Sequence, residues 1–314
     1  MQVMVLAGGL SAERDVSLRS GRRVAEALRT ARPDWMVIER DIDSTLLEDL
    51  SASRPDCAIP LLHGTAGEDG AVRDVLECLD LPYVGSRAAS CRLAFDKAVA
   101  KTLLHRAGVA TPQSVALPHA TFRELGAAGV IAAVEQGLGL PVVVKPTRGG
   151  SALGVSVVHE ASELPAAMVG AFAYGDVALI EKFITGTEVS VGVVEGPDGP
   201  IALPGVEIVP DDGFYDYASR YTAGTTSFFV PARLSEVAAQ AAADAALIAH
   251  ATLGLRDWSR TDLIVDADGT PWFLEVNVAP GMTETSLVPQ ALVAADIDMG
   301  AQMAALVERA ITRV

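Results

Sequence analysis

The chain has 314 residues, half of them apolar, and a formal net charge of −16. That length and apolar share supply two or three domains with a large core and argue against a disordered chain. The acidic balance argues against a nucleic-acid partner, no run of about 18 apolar residues is present to span a membrane, and the short apolar N-terminus lacks the basic flank of a signal peptide.

Residues 1–86 alternate strand and helix signals. Residues 3–7 read as a buried strand ending in Gly8-Gly9, and residues 16–31 follow near helical spacing. Residues 36–38, 57–62 and 82–84 give further strands, with a helix over 71–79. This is an α/β unit on a parallel sheet. Ligands bind at the carboxyl ends of strands in such sheets. Glu13 follows the first strand and either charges a helix N-terminus or holds a substrate ammonium. His63-Gly64 ends another strand, and His63 reads as a structural histidine or as part of the same cleft. Cys57, Cys78 and Cys91 are odd in number and lack metal-ligand spacing. They read as free thiols in a reducing cytosol, so a cytoplasmic protein is expected.

One helix is expected over 91–107. Strands over 141–146 and 155–158 enclose a Gly-rich loop, residues 147–154, and a helix follows over 164–172. Gly149, Gly150 and Gly154 let backbone N–H groups approach an anion, or mark a mobile hairpin tip. Lys145 closes the first of these strands and Lys97 sits in Phe-Asp-Lys. Each is a solvated lysine or a point charge for phosphate. A strand over 177–183 carries Glu181 and Lys182, and Glu188 opens an alternating strand over 188–194. Acids at strand ends suit ribose hydroxyls or an adenine amino group, and are also common on surfaces. A tyrosine-rich loop over 211–226 and an Ala-rich helix over 235–253 come next.

Residues 258–277 then form two short strands joined by Asp-Ala-Asp-Gly, a turn composition. A register with constant index sum places Asp262 opposite Glu275 and Arg260 opposite Asn277. It also places Leu263 opposite Leu274 and Val265 opposite Trp272 on the apolar face. Two carboxylates directly across a strand pair repel each other, and a hard divalent cation such as Mg²⁺ between them removes that cost. Arg260 beside them suits phosphate. Gly281 and the hydroxyls up to Ser286 offer donors to a carboxylate or oxyanion, or simply cap the following helix.

In order and spacing these segments resemble bacterial D-alanine–D-alanine ligases of the ATP-grasp superfamily. The matching stretches are Gly8-Gly-Leu-Ser-Ala-Glu13, His63-Gly-Thr-Ala-Gly-Glu-Asp-Gly70, Asp96-Lys97, Val144-Lys145-Pro through Gly150-Ser151, and Glu181-Lys182. They continue with Phe214-Tyr-Asp-Tyr-Ala-Ser-Arg-Tyr221, Arg260-Thr-Asp262, Glu275-Val-Asn277, Pro280-Gly281-Met-Thr283 and Ser286-Leu287-Val-Pro289. Each is weak alone, but together they cover essentially the whole chain.

The resemblance implies an α/β protein, α+β in its ATP-binding part, with three domains. These are a Rossmann-like parallel-sheet substrate domain (1–86), a small central α+β domain bearing the Gly-rich lid (87–181) and a C-terminal antiparallel-sheet domain with the metal and catalytic residues (182–314). It implies joining of two D-alanines at the expense of ATP through an acyl phosphate, for peptidoglycan. Asp262, Glu275 and Asn277 would hold two Mg²⁺ ions, Mn²⁺ being an alternative. Lys97, Lys145 and Arg220 would face ATP phosphates, and Glu181, Glu188 and the backbone at Lys182, Phe183 and Ile184 would take adenine and ribose. Arg260 and the Gly281 N–H would stabilise the tetrahedral oxyanion. Glu13 would hold the first D-alanine ammonium, with His63 lining the same cleft, and Ser286 and Leu287 would receive the second carboxylate. Ser151 and Tyr221 would hydrogen-bond with Glu13 to close the lid, and Tyr221 points to an amine acceptor. A homodimer is expected, without nucleic-acid or membrane partners.

Ala152, Gly149, Phe95, Arg220 and Val278 depart from the residues usual in that family, and none removes a proposed ligand. A D-amino-acid ligase of a specialised or self-resistance pathway is the alternative. A binding-only regulatory module has no need of Arg260, and a Rossmann dehydrogenase fails for want of G-x-G-x-x-G after the first strand.

Overall fold

A computed structural model describes residues 1–211 and 225–313, and within them the chain builds three sheets. The first joins β1 (Gln2–Ala7), β2 (Met36–Asp41) and β3 (Cys57–Pro60) in the order β2-β1-β3, all parallel. Central β1 is buried along Val3–Ala7, as a continuous apolar run covered on both faces must be. The expected strand over 82–84 shrinks to one parallel bridge, Ala58 with Tyr83. Gly85 turns away at φ +114° and gives its N–H to Asp257 at 2.6 Å, so the ladder stops.

The single helix expected over 91–107 is two helices, Ala88–Phe95 and Lys97–Arg106. Asp96 between them is extended (φ −89°, ψ 101°), and its carboxylate caps the second helix by accepting the Val99 N–H at 3.2 Å. A capping aspartate wins here over helical continuity. Lys97 thereby opens a new helix, and its own N–H bonds the Thr147 carbonyl.

The second sheet, antiparallel, holds β4 (Ser114–Pro118), β5 (Val142–Pro146), β6 (Ser156–Val158) and β7 (Val177–Lys182) in the order β4-β7-β5-β6. Helices Ala127–Leu138 and Leu164–Phe172 supply Val130, Val134, Leu164 and Met168 to its core.

The third sheet contains β8 (Thr187–Gly196), β9 (Gly199–Ala202), β10 (Val206–Pro210), β11 (Thr226–Phe229), β12 (Trp258–Val265) and β13 (Pro271–Asn277). Its order is β11-β10-β8-β12-β13, with β9 on the end of β8. The helix Glu236–Thr252 lays Ala238, Ala242, Ala245 and Ala249 on one face, where small side chains let helix and sheet approach closely. The other face joins the core of the first sheet through Trp258, Val206 and Ile208.

The hairpin of β12 and β13 pairs Arg260 with Asn277 and Asp262 with Glu275, in the expected register. Beyond Asp262 the register shifts. Leu263 lies opposite Phe273, not Leu274, and Val265 opposite Pro271, not Trp272, which faces Ile264. The cause is a β-bulge, one extra residue that reverses the facing of everything beyond it. Phe273 is driven fully into the core under the Ala-rich helix, while Leu274 turns to the cleft side with Glu275.

Candidate active site

Two cavities adjoin between the sheets. One, of about 560 Å³, lies between the second and third sheets. The other, of about 450 Å³, lies between the loops after β1 and β3 and the end of β13. Lys97, Gly149, Gly150 and Glu275 line both, so they form the shared wall.

In the larger cavity the strand ends supply charge and the hairpin supplies apolar surface. Lys145 on β5 meets Glu181 on β7 at 2.5 Å, and Lys101 meets the other oxygen of the same carboxylate at 2.5 Å. Lys101 is 3% exposed and Glu181 2%. Burial pushes the Glu181 carboxyl up, but the Lys145 and Lys101 charges outweigh it and hold it below its usual value. Burial pulls Lys101 down to about 8, against the opposing charge of Glu181. Lys182, Phe183, Ile184 and Glu188 follow along the rim. The Lys182 and Phe183 N–H groups bond the Gln113 and Pro141 carbonyls at 2.9 and 3.1 Å, so neither is left for an incoming base. Opposite them, Glu207 accepts from Arg233 at 2.7 and 2.9 Å, and the guanidinium lies 3.6 Å over the Phe229 ring.

At the shared wall the hairpin presents its polar face. Arg260 grips Asp262 with two bonds, 2.9 and 2.7 Å, and the Ser190 hydroxyl of β8 donates to the same carboxylate. Glu275, directly across from Asp262, is met by the Lys97 ammonium at 3.1 Å, and that ammonium also donates to the Gly149 carbonyl at 2.6 Å. The Asn277 side-chain oxygen accepts the Ala279 N–H at 2.8 Å. Among the described residues no three His, Cys, Asp or Glu side chains cluster as a metal site. The donor set here is two carboxylates and an amide oxygen, all hard, which fits Mg²⁺ and excludes a soft-metal centre.

The smaller cavity gathers the residues after β1 and β3. The Ser151 hydroxyl donates to the Glu13 carboxylate, against which Gly64 and Gly150 also pack. A Cβ at Gly64 would come within 2.9 Å of that carboxylate. His63 is buried, its Nδ1 2.9 Å from the Ala279 carbonyl and its Nε2 3.3 Å from the Ser20 hydroxyl. Burial lowers its pKa, partly opposed by the Glu13 charge, so the ring stays neutral at pH 7. Glu68 accepts the Gly64 N–H at 3.0 Å, and burial, then the Glu13 charge, pushes it up to about 8. Ser286 sits at the N-terminus of the helix Leu287–Ala294 without capping it. Its hydroxyl accepts the Thr283 N–H at 3.0 Å instead, on the cavity side with Gly281 and Leu287.

Residues 103–312 match the family model described as D-ala D-ala ligase C-terminus. The chain belongs to the D-alanine–D-alanine ligase family. It is 44% identical over 289 residues to a D-alanine–D-alanine ligase of Anaeromyxobacter dehalogenans, covering 92% of this chain and 90% of that one. The ligase of Pelotomaculum thermopropionicum is 39% identical over 310 residues, 99% and 96% of the two chains. Among solved structures, the Bacillus anthracis D-alanine–D-alanine ligase complexed with ATP superimposes with a TM-score of 0.81 at 28% identity, covering 100% of this chain and 98% of that one. The VanG D-Ala:D-Ser ligase of Enterococcus faecalis gives 0.83 at 28%, covering 98% and 99%. The fold is therefore that of the ATP-grasp ligases, parallel at the N-terminus and antiparallel beyond it.

For this member of the D-alanine–D-alanine ligase family, the structure brings all the sequence-derived site residues it describes to one of the two cavities. Tyr221 and Arg220 lie outside the described residues. Among the described residues, side chains that escape the sequence reading as site residues include Lys101, Glu68, Ser190, Glu207 and Arg233. Lys101 stands one helical turn beyond Lys97, on the same face, and that spacing was the available signal. Ser190 and Arg233 carry no local signature, since their partners Asp262 and Glu207 come from distant strands.

Proposed function

We propose that this ligase joins two D-alanines into D-alanyl-D-alanine with consumption of ATP, for a peptidoglycan precursor. The supporting observation is the shared wall of Lys97, Gly149, Gly150 and Glu275. A phosphoryl group delivered from the larger cavity emerges there beside a carboxylate seated in the smaller one.

In this reading Lys145 and Lys97 bind the ATP phosphates as point charges. Glu188 takes the ribose. Glu181 orients Lys145, and contacts from residues 182–184 to the base fall to their carbonyls and to Ile184. Glu13 binds the ammonium of the first D-alanine and so aims its carboxylate at the γ-phosphorus. Attack breaks the bond between the γ-phosphorus and the bridging oxygen of ADP, giving an acyl phosphate. Two divalent ions, Mg²⁺ or Mn²⁺, held by Asp262, Glu275 and Asn277 would spread the charge of the transferring group. Ser286 and Leu287 hold the second D-alanine by its carboxylate. Its amine attacks the acyl carbon, Arg260 and the Gly281 N–H stabilise the oxyanion, and phosphate leaves as the amine loses its proton. The Ser151–Glu13 bond, with Tyr221, closes the Gly-rich loop and keeps water from the acyl phosphate. A three-part division at residues 86 and 181, a homodimer and a cytoplasmic location complete the reading. Among the described residues no helix is long and apolar enough to cross a membrane.

The test is phosphate release from ATP across a panel of D- and L-amino acids, with product masses. Release that depends on D-alanine and yields the dipeptide mass is expected. Release with only another D-amino acid, or D-alanyl-D-lactate formed as readily at neutral pH, overturns the assignment.

A further inference from the structure

Arg73, on the helix Ala71–Cys78, is 1% exposed. Its Nη1 donates to the Gly67 carbonyl, whereas its Nε and Nη2 have no hydrogen-bond partner among the described residues. The indole Nε1 of Trp258, a side chain with no exposed surface, is also without one. These three donors converge on one spot. A Cβ built on Gly85 would find as its nearest heavy atoms, outside its chain neighbours, Arg73 Nη2 at 3.7 Å, Arg73 Nε at 3.8 Å and Trp258 Nε1 at 3.9 Å. Gly85 carries no side chain, and the three donors are the nearest groups on the side where one would stand.

Among the described residues the guanidinium also forms no ion pair. Asp257 is committed to the Gly85 N–H at 2.6 Å and to Arg313 at 2.9 Å. Glu77 accepts the Tyr83 hydroxyl at 2.6 Å. Burial pushes Glu68 up to about 8, and pushes the Cys91 thiol up as well, so at pH 7 neither brings a full negative charge. A buried, unpaired charge and buried unmade hydrogen bonds are both costly. A water molecule satisfies the donors only by bringing two of its own O–H groups in need of acceptors, whereas the three groups nearest the open side of Gly85 are all donors. An occupant that only accepts and carries one negative charge meets both demands.

We propose that Arg73, Trp258 and Gly85 form a buried site for a small monovalent anion of the chloride class, apart from the two active-site cavities. Its occupant joins the helix after Glu68, the link out of the first sheet at Gly85 and the first residue of β12. It thereby braces the substrate loops against the strand that carries Arg260 and Asp262.

Crystals of the whole chain soaked in bromide should show an anomalous peak within hydrogen-bond reach of Arg73 Nε and Trp258 Nε1. Absence of a peak there, with bromide seen elsewhere on the molecule, overturns the site and leaves water as its occupant. In solution, chloride should raise Tm saturably above gluconate at matched ionic strength, and Arg73→Gln should lose that difference. An equal chloride effect in both proteins overturns the proposal. The bromide experiment uses the unaltered chain and stands whether or not the variant folds.

Discussion

The Ser151 hydroxyl donates to the Glu13 carboxylate, latching the Gly-rich loop of the second sheet to the loop after β1. Ser151 and Ala152 both hold φ 55°, a left-handed conformation that non-glycine residues keep only where the surroundings enforce it.

Ser151→Ala removes a hydrogen bond to a charged group, worth about 1.5–3 kcal/mol. That corresponds to a fall of about 10–100-fold in kcat/KM for D-alanine, with KM for ATP nearly unchanged. Steady-state kinetics in each substrate check this, and an unaltered D-alanine dependence rules out the latch.

Arg260→Met should lower kcat by about 10²–10³-fold, the usual loss when one oxyanion donor is removed. Pre-steady-state measurement of ADP formation distinguishes its step. If acyl phosphate formation slows as much as dipeptide release, Arg260 serves the phosphoryl group and not the oxyanion.

Glu275→Gln leaves the fold intact and weakens the hard-oxygen set beside Asp262. The Mg²⁺ concentration for half-maximal turnover should rise at least about tenfold, the energetic equivalent of about 1.4 kcal/mol. Turnover unchanged at limiting Mg²⁺ means that Glu275 is no ligand.

The buried Glu68 gives a pH signature. Its folded-state pKa lies near 8, above the usual glutamate value of 4.5, so between those values the folded state keeps a proton that the unfolded state has lost. Stability from this group is full below about pH 4.5 and is lost as pH rises towards about 8. Thermal melts of the metal-free protein should show Glu68→Gln gaining on the unaltered chain across that window. A constant difference in Tm would mean that Glu68 ionises normally.

Lys101→Met strips one of the two ammonium groups from Glu181. Breaking a buried pair costs about 3–5 kcal/mol of stability, read by denaturant unfolding. Because Glu181 then pulls on Lys145 alone, KM for ATP should rise while KM for D-alanine stays. Lost stability with unaltered ATP dependence would make Lys101 a packing residue only.

The parts of the fold legible in the sequence are those whose signal is local. The runs of β1 and β5, the helix Leu164–Phe172 and the Asp262–Glu275 pairing were all readable from apolar runs or alternation. The segment containing β4 and the helix Ala127–Leu138 was not, because its residues cover an edge of the second sheet and only Val130, Val134 and Leu138 of that helix are buried. The break at Asp96 was hidden, since apolar spacing runs through it and only the cap decides. In the site, residue types were legible and partnerships were not. Lys145 reads as a solvated lysine or a phosphate partner and Lys101 draws no reading at all until β7 brings one glutamate between them, and that meeting depends on strand order rather than on any neighbour in sequence.

The bulge in β13 has a bearing on how such a site is altered. In an uninterrupted strand the pleat binds each side chain to the facing of its neighbours, so a change of cavity lining competes with the buried packing beside it. Here Leu274 and Glu275 face the same cleft in succession, while Phe273 and Val276 on either side answer to the core. Leu274 can therefore be enlarged, trimmed or made polar to suit a different nucleotide or a selective inhibitor, and the paired carboxylates of Glu275 and Asp262 keep their register.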